Sequence, residues 1–340
     1  MIANKNGGLL VTPNPHIKTP VNTQKIMLCV IIALLPALIA STVIFGFRAL
    51  ILAAVCVAAS VFFEWAYEKV LHKPSTIYDL SACVTGLLLA MNLPVTFPYW
   101  MAVIGCAVAI IIVKQLFGGL GQNFANPAIT ARIVLFISFA SQMSTWADPS
   151  KGKVLSAADA TTGATPLGVF NINGAEKAQD TFSNMQMFLG QTGGSMGEVC
   201  ALALLIGGVF LICMRVISPA TPVAFLGTIA VLSLCAGIDP IWQICAGGAM
   251  LGAFFMATDY ATTPTTVGGK IVFGIGCGCI TMLIRLFGSY PEGVSFSILI
   301  MNLLTPLIDN FFEKQLYGNP AKERKKAAKE AEKAAKEGAN

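Results

Sequence analysis

The chain has 340 residues, 55% of them apolar and only 11% charged, against roughly a quarter charged in an ordinary soluble domain. Its formal charge of +5 comes from 22 basic and 17 acidic residues scattered along the sequence, a balance that excludes a nucleic-acid-binding surface. The apolar residues come in runs of membrane-spanning length, so one helical bundle in lipid is expected rather than two or three soluble domains.

In chain order, residues 1–25 are polar and Pro-rich and carry no cleavable signal-peptide pattern, so they read as a cytoplasmic N-terminal segment. Apolar runs near 26–46, 49–68, 79–93, 98–116 and 126–141 follow. A long polar segment occupies 142–197, and further runs lie near 198–216, 221–238, 241–258, 270–287 and 294–312. This is the pattern of an all-α polytopic membrane protein with about ten transmembrane helices. The third and fifth runs are short for a ~30 Å hydrocarbon layer and abut Gly, Asn or Pro, so broken or half-spanning helices are expected there. Residues 313–340 form a charged tail, which reads as an exposed helix or an extension near the membrane surface.

Charge sets the orientation. With the N-terminus inside, the cytoplasmic side collects Lys5, Lys18, Lys25, Lys69, Lys73, Lys114, Arg132, Arg215, Lys270, Lys314 and the basic tail. The other side keeps Arg48, Lys151, Lys153, Lys177 and Arg285. Lys and Arg near span ends resist translocation, so both termini are expected in the cytoplasm and the 142–197 loop outside. Glu64, Asp79, Asp239, Asp259 and Asp309 sit at or near span ends. A central Asp costs ~2.5–3.5 kcal/mol on the insertion scale, so most of these are expected at the interface, and none singles itself out as an ion ligand. The ten cysteines lie in apolar stretches without a CxxC pair and read as small hydrophobes, a metal centre shared with a partner at a symmetry axis being the alternative.

The stretch LPVTFPYW, a span and FGGLGQNFANPAITARIVLF has a weaker echo in IDPIW, a span and FFMATDYATTPTTVGGKIVF. Two five-helix repeats, 26–141 and 198–312, are therefore expected, the second inverted because five is odd. Inverted repeats place ligands between the halves, near helix ends broken by Gly and Pro. The two candidate patches are Gly118 to Pro127 and Thr258 to Pro264, both expected on the cytoplasmic side; a coincidental bend is the alternative for either.

The outer loop contains Asp159-Ala160-Thr161-Thr162-Gly163-Ala164-Thr165-Pro166-Leu167. A free threonine hydroxyl is a poor nucleophile, and the two histidines, His16 and His72, fall on the other side, so an unaided hydrolase is excluded. Asp, two small residues and then Thr-Gly-Ala-Thr resembles the flavinylation signal of the Rnf and sodium-pumping NADH:quinone oxidoreductase complexes, in which a dedicated transferase esterifies FMN to the last threonine. The usual pattern has Ser where Thr162 stands. Together with GGLGQNFANPA and FFMATD, the motif makes residues 8–316 resemble the family that holds the Rnf membrane protein RnfD and its quinone-reductase homologue NqrB. The short N-terminus favours the Rnf branch.

The resemblance implies covalent FMN on Thr165, with Gly163 and Ala164 leaving space for phosphate and transferase. Asp159 becomes a recognition or magnesium-binding element for that enzyme, or else a turn or cap residue. It also implies a second, non-covalent flavin (riboflavin) toward the cytoplasmic side. The matching positions are Asn123 and Asn126, whose amides could bond the ring edge; helix capping before Pro127 is the other reading. Thr258 and Asp259 are weaker candidates, Asp259 equally a cap or an ion-path residue. The implied activity is that of one component of an ion-translocating ferredoxin:NAD oxidoreductase in the cell's inner membrane, moving Na⁺ or H⁺. Its implied partners are the other Rnf subunits (A, B, C, E and G) and the flavin transferase. No catalytic residue is expected in this chain alone. A secondary transporter or channel and a structural membrane anchor are the readings without flavin.

Overall fold

Uninterrupted apolar sequence makes the long helices. In the computed structural model, residues 22–149, 163–288 and 293–316 are described, side chains only to 312. Helices α1 (Thr23–Phe45) and α2 (Phe47–Val70) meet at Gly46, whose φ of 94° suits glycine. Helix α3 (Ser81–Met91) is short; α4 (Tyr99–Ala107) runs on as a π-helical stretch, Val108–Gln115. α5 (Pro127–Ser138) and α6 (Ala140–Met143) follow. Three small helices come next: α7 (Pro166–Asn173), α8 (Ala175–Thr181) and α9 (Asn184–Leu189). The second set comprises α10 (Ala201–Cys213), α11 (Ala220–Cys235), α12 (Pro240–Cys245) and α13 (Ala249–Leu251), which runs on as π-helical Gly252–Met256. α14 (Val267–Phe287) and α15 (Val294–Leu316) end it.

Each of the ten expected runs carries helix, and four helices (α1, α2, α14 and α15) are long and apolar enough by themselves to cross a membrane. Large apolar side chains such as Ile39, Val43, Val223 and Leu307 point outward, which suits lipid as the solvent. α3, at 11 residues, reaches about 16 Å, roughly half of the hydrocarbon layer, as its sequence leads one to expect. The eighth run is not expected to break, yet it does. Ala246 is extended and Gly247 and Gly248 have φ of 55° and 64° between α12 and α13. The interrupted runs are thus the third, the eighth and, as expected, the fifth, which breaks at Phe139 (φ −131°, ψ 50°) between the 12-residue α5 and α6. The third and eighth are equivalent places in a five-plus-five division, while the tenth run, α15, is continuous. The sequence echo instead pairs the fourth with the eighth.

Close helix approach rests on small residues. α1 packs on α10, α2 on α3 and α4, α11 on α14, and α5 lies against α3, α4 and α15. At the α1–α10 crossing, a Cβ on Gly207 would lie 2.1 Å from the Ala33 carbonyl oxygen and 3.0 Å from Phe255. Gly207→Ala is therefore expected to push the helices apart and destabilise by about 1–3 kcal/mol, read as a lower thermal midpoint in detergent. Gly227→Ala, which meets nothing within 4 Å, is the neutral control.

Several basic residues assigned to loops lie inside the bundle. Arg48, Lys114, Arg132 and Arg285 are 7%, 1%, 5% and 1% exposed, and each is held by acceptors. Arg48 donates to the carbonyls of Val95, Thr96 and Phe97 at 2.7, 3.3 and 3.3 Å. Lys114 pairs with Glu64 at 2.6 Å, and that carboxylate, expected at the interface, is fully buried. Glu64 also accepts from Gln115 and Thr76, and the Thr76 hydroxyl bonds Glu68 as well, one turn further along α2 and 3% exposed. A buried charge is tolerated only with such partners. Among the cysteines, Cys56, Cys106 and Cys277 are buried while Cys213 and Cys235 are exposed on helix surfaces.

Candidate functional site

Two cavities lie at opposite ends of α1. Ile26, Met27 and Val30 line one, while a Cβ on Gly190 would touch Ile44 near the other end and the Val199 carbonyl, Val199 being a wall of the second cavity.

Thr165 opens onto that second cavity, a small pocket open to solvent on one side, with Pro166, Thr192, Gly193, Glu198 and Gly247 among its walls. Thr165 is extended (φ −76°, ψ 154°) and caps α7, Oγ1 accepting the Gly168 N–H at 3.0 Å, with Pro166 as the first helical residue. Threonine before proline is a strong helix start. The helix is anchored by a small apolar cluster of its own, Leu167, Phe170, Ala178, Met187, Ile238, Trp242 and Ala246. The Phe170 and Trp242 rings stand 5.8 Å apart, and the indole N–H donates to the Phe182 carbonyl at 3.2 Å. Gly163 has a structural reason too: a Cβ there would lie 2.9 Å from that of Asp148. Ala164 is exposed. Asp159 and Thr162 lie outside the described residues.

The Thr165 hydroxyl makes no donated hydrogen bond among the described residues, so its proton is available for replacement. It sits at the positive end of a helix, beside a small pocket that opens to solvent. These residues fit a phosphodiester on Oγ1.

The first cavity gathers both Gly/Pro patches: Asn123, Asn126 and Pro127 from one, Thr258 and Asp259 from the other. Asn126 is the α5 cap, its Oδ1 accepting from Ala128 and Ile129 at 3.0 and 3.3 Å; its Nδ2 reaches the Met256 carbonyl at 3.4 Å. Capping is what the structure assigns to it. Asn123 differs: its Oδ1 is buried without a partner among the described residues, an acceptor waiting for an N–H. Thr258 donates to the Phe254 carbonyl at 2.6 Å and keeps its acceptor lone pairs. Asp259 is half-buried. Burial pushes its carboxyl above the ordinary range, opposed by the backbone N–H of Ala261 and the Thr262 hydroxyl. Lys114 and Ser81, bonded at 2.7 Å, complete a polar wall. A third, more open space shares Thr258 and Asp259 and adds Arg215 and Lys270.

Sequence reasoning missed what joins the two cavities. Arg132 on α5 pairs with Glu198, a wall of the Thr165 cavity, at 3.3 Å, and donates to Asn92 and Ser295 at 3.1 and 2.9 Å. Asn92 contacts the Met256 sulfur at 3.7 Å, and Met256 is the residue Asn126 reaches. Arg132 also stands where α3 stops, the negative end of that half-helix. There the carbonyls of Met91 and Leu93 accept the N–H groups of Gly197 and Met196 at 2.7 and 3.1 Å. The signal in the sequence is GQTGGSMGEV, a glycine-rich turn with one carboxylate ahead of an apolar run. Among the described residues, no group of three or more metal-ligating side chains occurs.

A multi-pass, all-helical membrane protein with polar cavities at broken helices is the class that this architecture defines. Residues 10–318 match the model of the NQR2, RnfD, RnfE family, and the chain belongs to that family. It is 49% identical over 312 residues to the D component of the Na(+)-translocating ferredoxin:NAD(+) oxidoreductase complex of Acetobacterium woodii, covering 91% of this chain and 95% of that one. It is 42% identical to the D component of the proton-translocating ferredoxin:NAD(+) oxidoreductase complex of Clostridium ljungdahlii, covering 91% and 96%. Identity with the D component of the ion-translocating oxidoreductase complex of Stutzerimonas stutzeri is 38%, covering 90% and 95%.

Proposed function

We propose that this chain is the membrane component RnfD of an ion-translocating ferredoxin:NAD⁺ oxidoreductase, carrying FMN esterified to Thr165 and riboflavin in the Asn123–Thr258 cavity. The observation that carries the reading is the Thr165 hydroxyl: buried, undonated, at a helix N-terminus and beside a small pocket that opens to solvent. In maturation the Oγ1–H bond gives way to an Oγ1–P bond as a flavin transferase delivers FMN from an activated phosphoanhydride; the proton and the anhydride's leaving group depart. A flavin supplies one-electron chemistry when bound. The chain's part is to tether it: α7 fixes Thr165, the apolar cluster beneath fixes α7, and Gly163 lets the incoming strand pass Asp148. In the other cavity, Asn123 Oδ1 accepts a ring N–H, while Asn126 and Thr258 shape the wall.

The same reading has ten spans crossing the inner membrane in two inverted halves, Thr165 outside and both termini in the cytoplasm. The interrupted third and eighth runs support that symmetry, although the break in the fifth run at Phe139 has no counterpart in the tenth. Relatives named for Na⁺ and for protons share 49% and 42% of their aligned residues with this chain, so the framework serves either cation. The A, B, C, E and G components of the complex are the partners.

Intact mass spectrometry of the full chain made with its flavin transferase tests the assignment: one FMN phosphoryl adduct, on the peptide containing Thr165, is expected. A bare chain from correctly matured material favours the transporter or anchor readings. For the second flavin, Asn123→Ala is expected to lower retention of non-covalent flavin after purification about tenfold, the worth of one buried hydrogen bond. Unchanged retention removes Asn123 from that site.

A further inference from the structure

The segment Thr192-Gly193-Gly194 lies buried against the Thr165 cavity and lines it. Buried backbone N–H groups are almost always paired. Yet the N–H groups of these three residues, and that of Leu167 in the first turn of α7, have no partner among the described residues. Thr192 is 6% exposed, and its hydroxyl is likewise without a partner there while facing the cavity. A Cβ on Gly193 would lie 3.7 Å from the Ala164 carbonyl oxygen, so the turn stands directly beside the strand that carries Thr165. Glycines let a backbone come close to what it holds.

The neighbouring charge does not oppose an anion. Glu198, on the same cavity, has Oε1 paired with Arg132 and Oε2 accepting the Ser195 N–H at 3.4 Å. Arg285 stands behind the wall, donating to the Ala246 and Gly247 carbonyls at 2.8 and 3.1 Å. Several unspent donors and a hydroxyl therefore line the cavity onto which Thr165 opens, with the Arg285 guanidinium behind the wall and committed to the Gln243, Ala246 and Gly247 carbonyls.

We propose that the Thr192–Gly194 turn, with the Leu167 N–H, is the cradle for the phosphodiester attached to Thr165. This rests on the flavin reading above. It goes further by giving the phosphate oxygens their donors and by making the glycine-rich turn, rather than the motif alone, the element that holds the anion. An anion on backbone N–H groups is fixed without a lysine or arginine in contact, so the tether is held while the ring stays free to meet its electron partner.

Hydrogen–deuterium exchange on the full chain in detergent, with and without flavinylation, tests it. The flavinylation state of each sample is fixed by intact mass. Exchange of the peptide spanning 190–199 is expected to slow about tenfold in the flavinylated form, with α11 unchanged. Thr192→Val should keep FMN attached and lose only the share of that slowing contributed by its hydroxyl, and Thr192→Ser should restore it. Full flavinylation with equal exchange in the two forms overturns the cradle alone. No FMN on correctly matured chain overturns the flavin reading and the cradle together.

Discussion

Thr165→Val leaves the protein inserted and without any covalent flavin. Valine keeps the shape of the side chain and its apolar contacts in a site only 9% exposed, but it has no oxygen to esterify. Denatured chain on a gel, matured with its transferase, should lose flavin fluorescence to background. The α7 cap bond to Gly168 disappears as well, at a cost of about 1 kcal/mol. That is too little to unfold the bundle, because α7 is anchored by its own apolar cluster. Thr165→Ser keeps both the oxygen and the cap, so it should retain fluorescence if the transferase accepts a primary hydroxyl. A fluorescent Thr165→Val chain would move the attachment elsewhere.

The second large effect is on stability. Lys114→Met is expected to destabilise by about 3–5 kcal/mol, because it strands the Glu64 carboxylate inside the bundle. Glu64 is held by Lys114, Gln115 and Thr76. Its Oε2, like that of Glu68 one turn on, has no partner of its own among the described residues, and without the ammonium the neutral donors cannot offset burial of the charge. The double change Lys114→Met, Glu64→Leu removes both charges and should recover most of the loss. Thermal unfolding in detergent, followed by loss of the monodisperse species, measures it. A single variant as stable as the parent would mean that Glu64 takes up a proton at little cost.

How far these features can be read from sequence depends on whether their parts are contiguous. The helix start at Thr165 is legible because threonine stands directly before proline at the end of a contiguous motif. The short α3 is legible because Asn92 and Pro94 follow its apolar run. The break between α12 and α13 is not, since IWQICAGGAMLGAFFM looks like one span; only the Gly247-Gly248 pair, both with positive φ, betrays it. The ion pairs are invisible for another reason. Lys114 and Glu64 are 50 residues apart, and Arg132 and Glu198 are 66 apart. Each cation, taken alone near a span end, looks like an ordinary loop charge that bears on orientation. The Asn pair divides: Asn126 is committed to its cap, while Asn123, three residues earlier, keeps the open acceptor.

The seven-residue cluster beneath α7 is separate from the main apolar core. α7 thus rests on an apolar base of its own, shared with α12 through Trp242, and also touches the long helix α14. The anchorage behaves as a mooring post set beside the hull rather than through it.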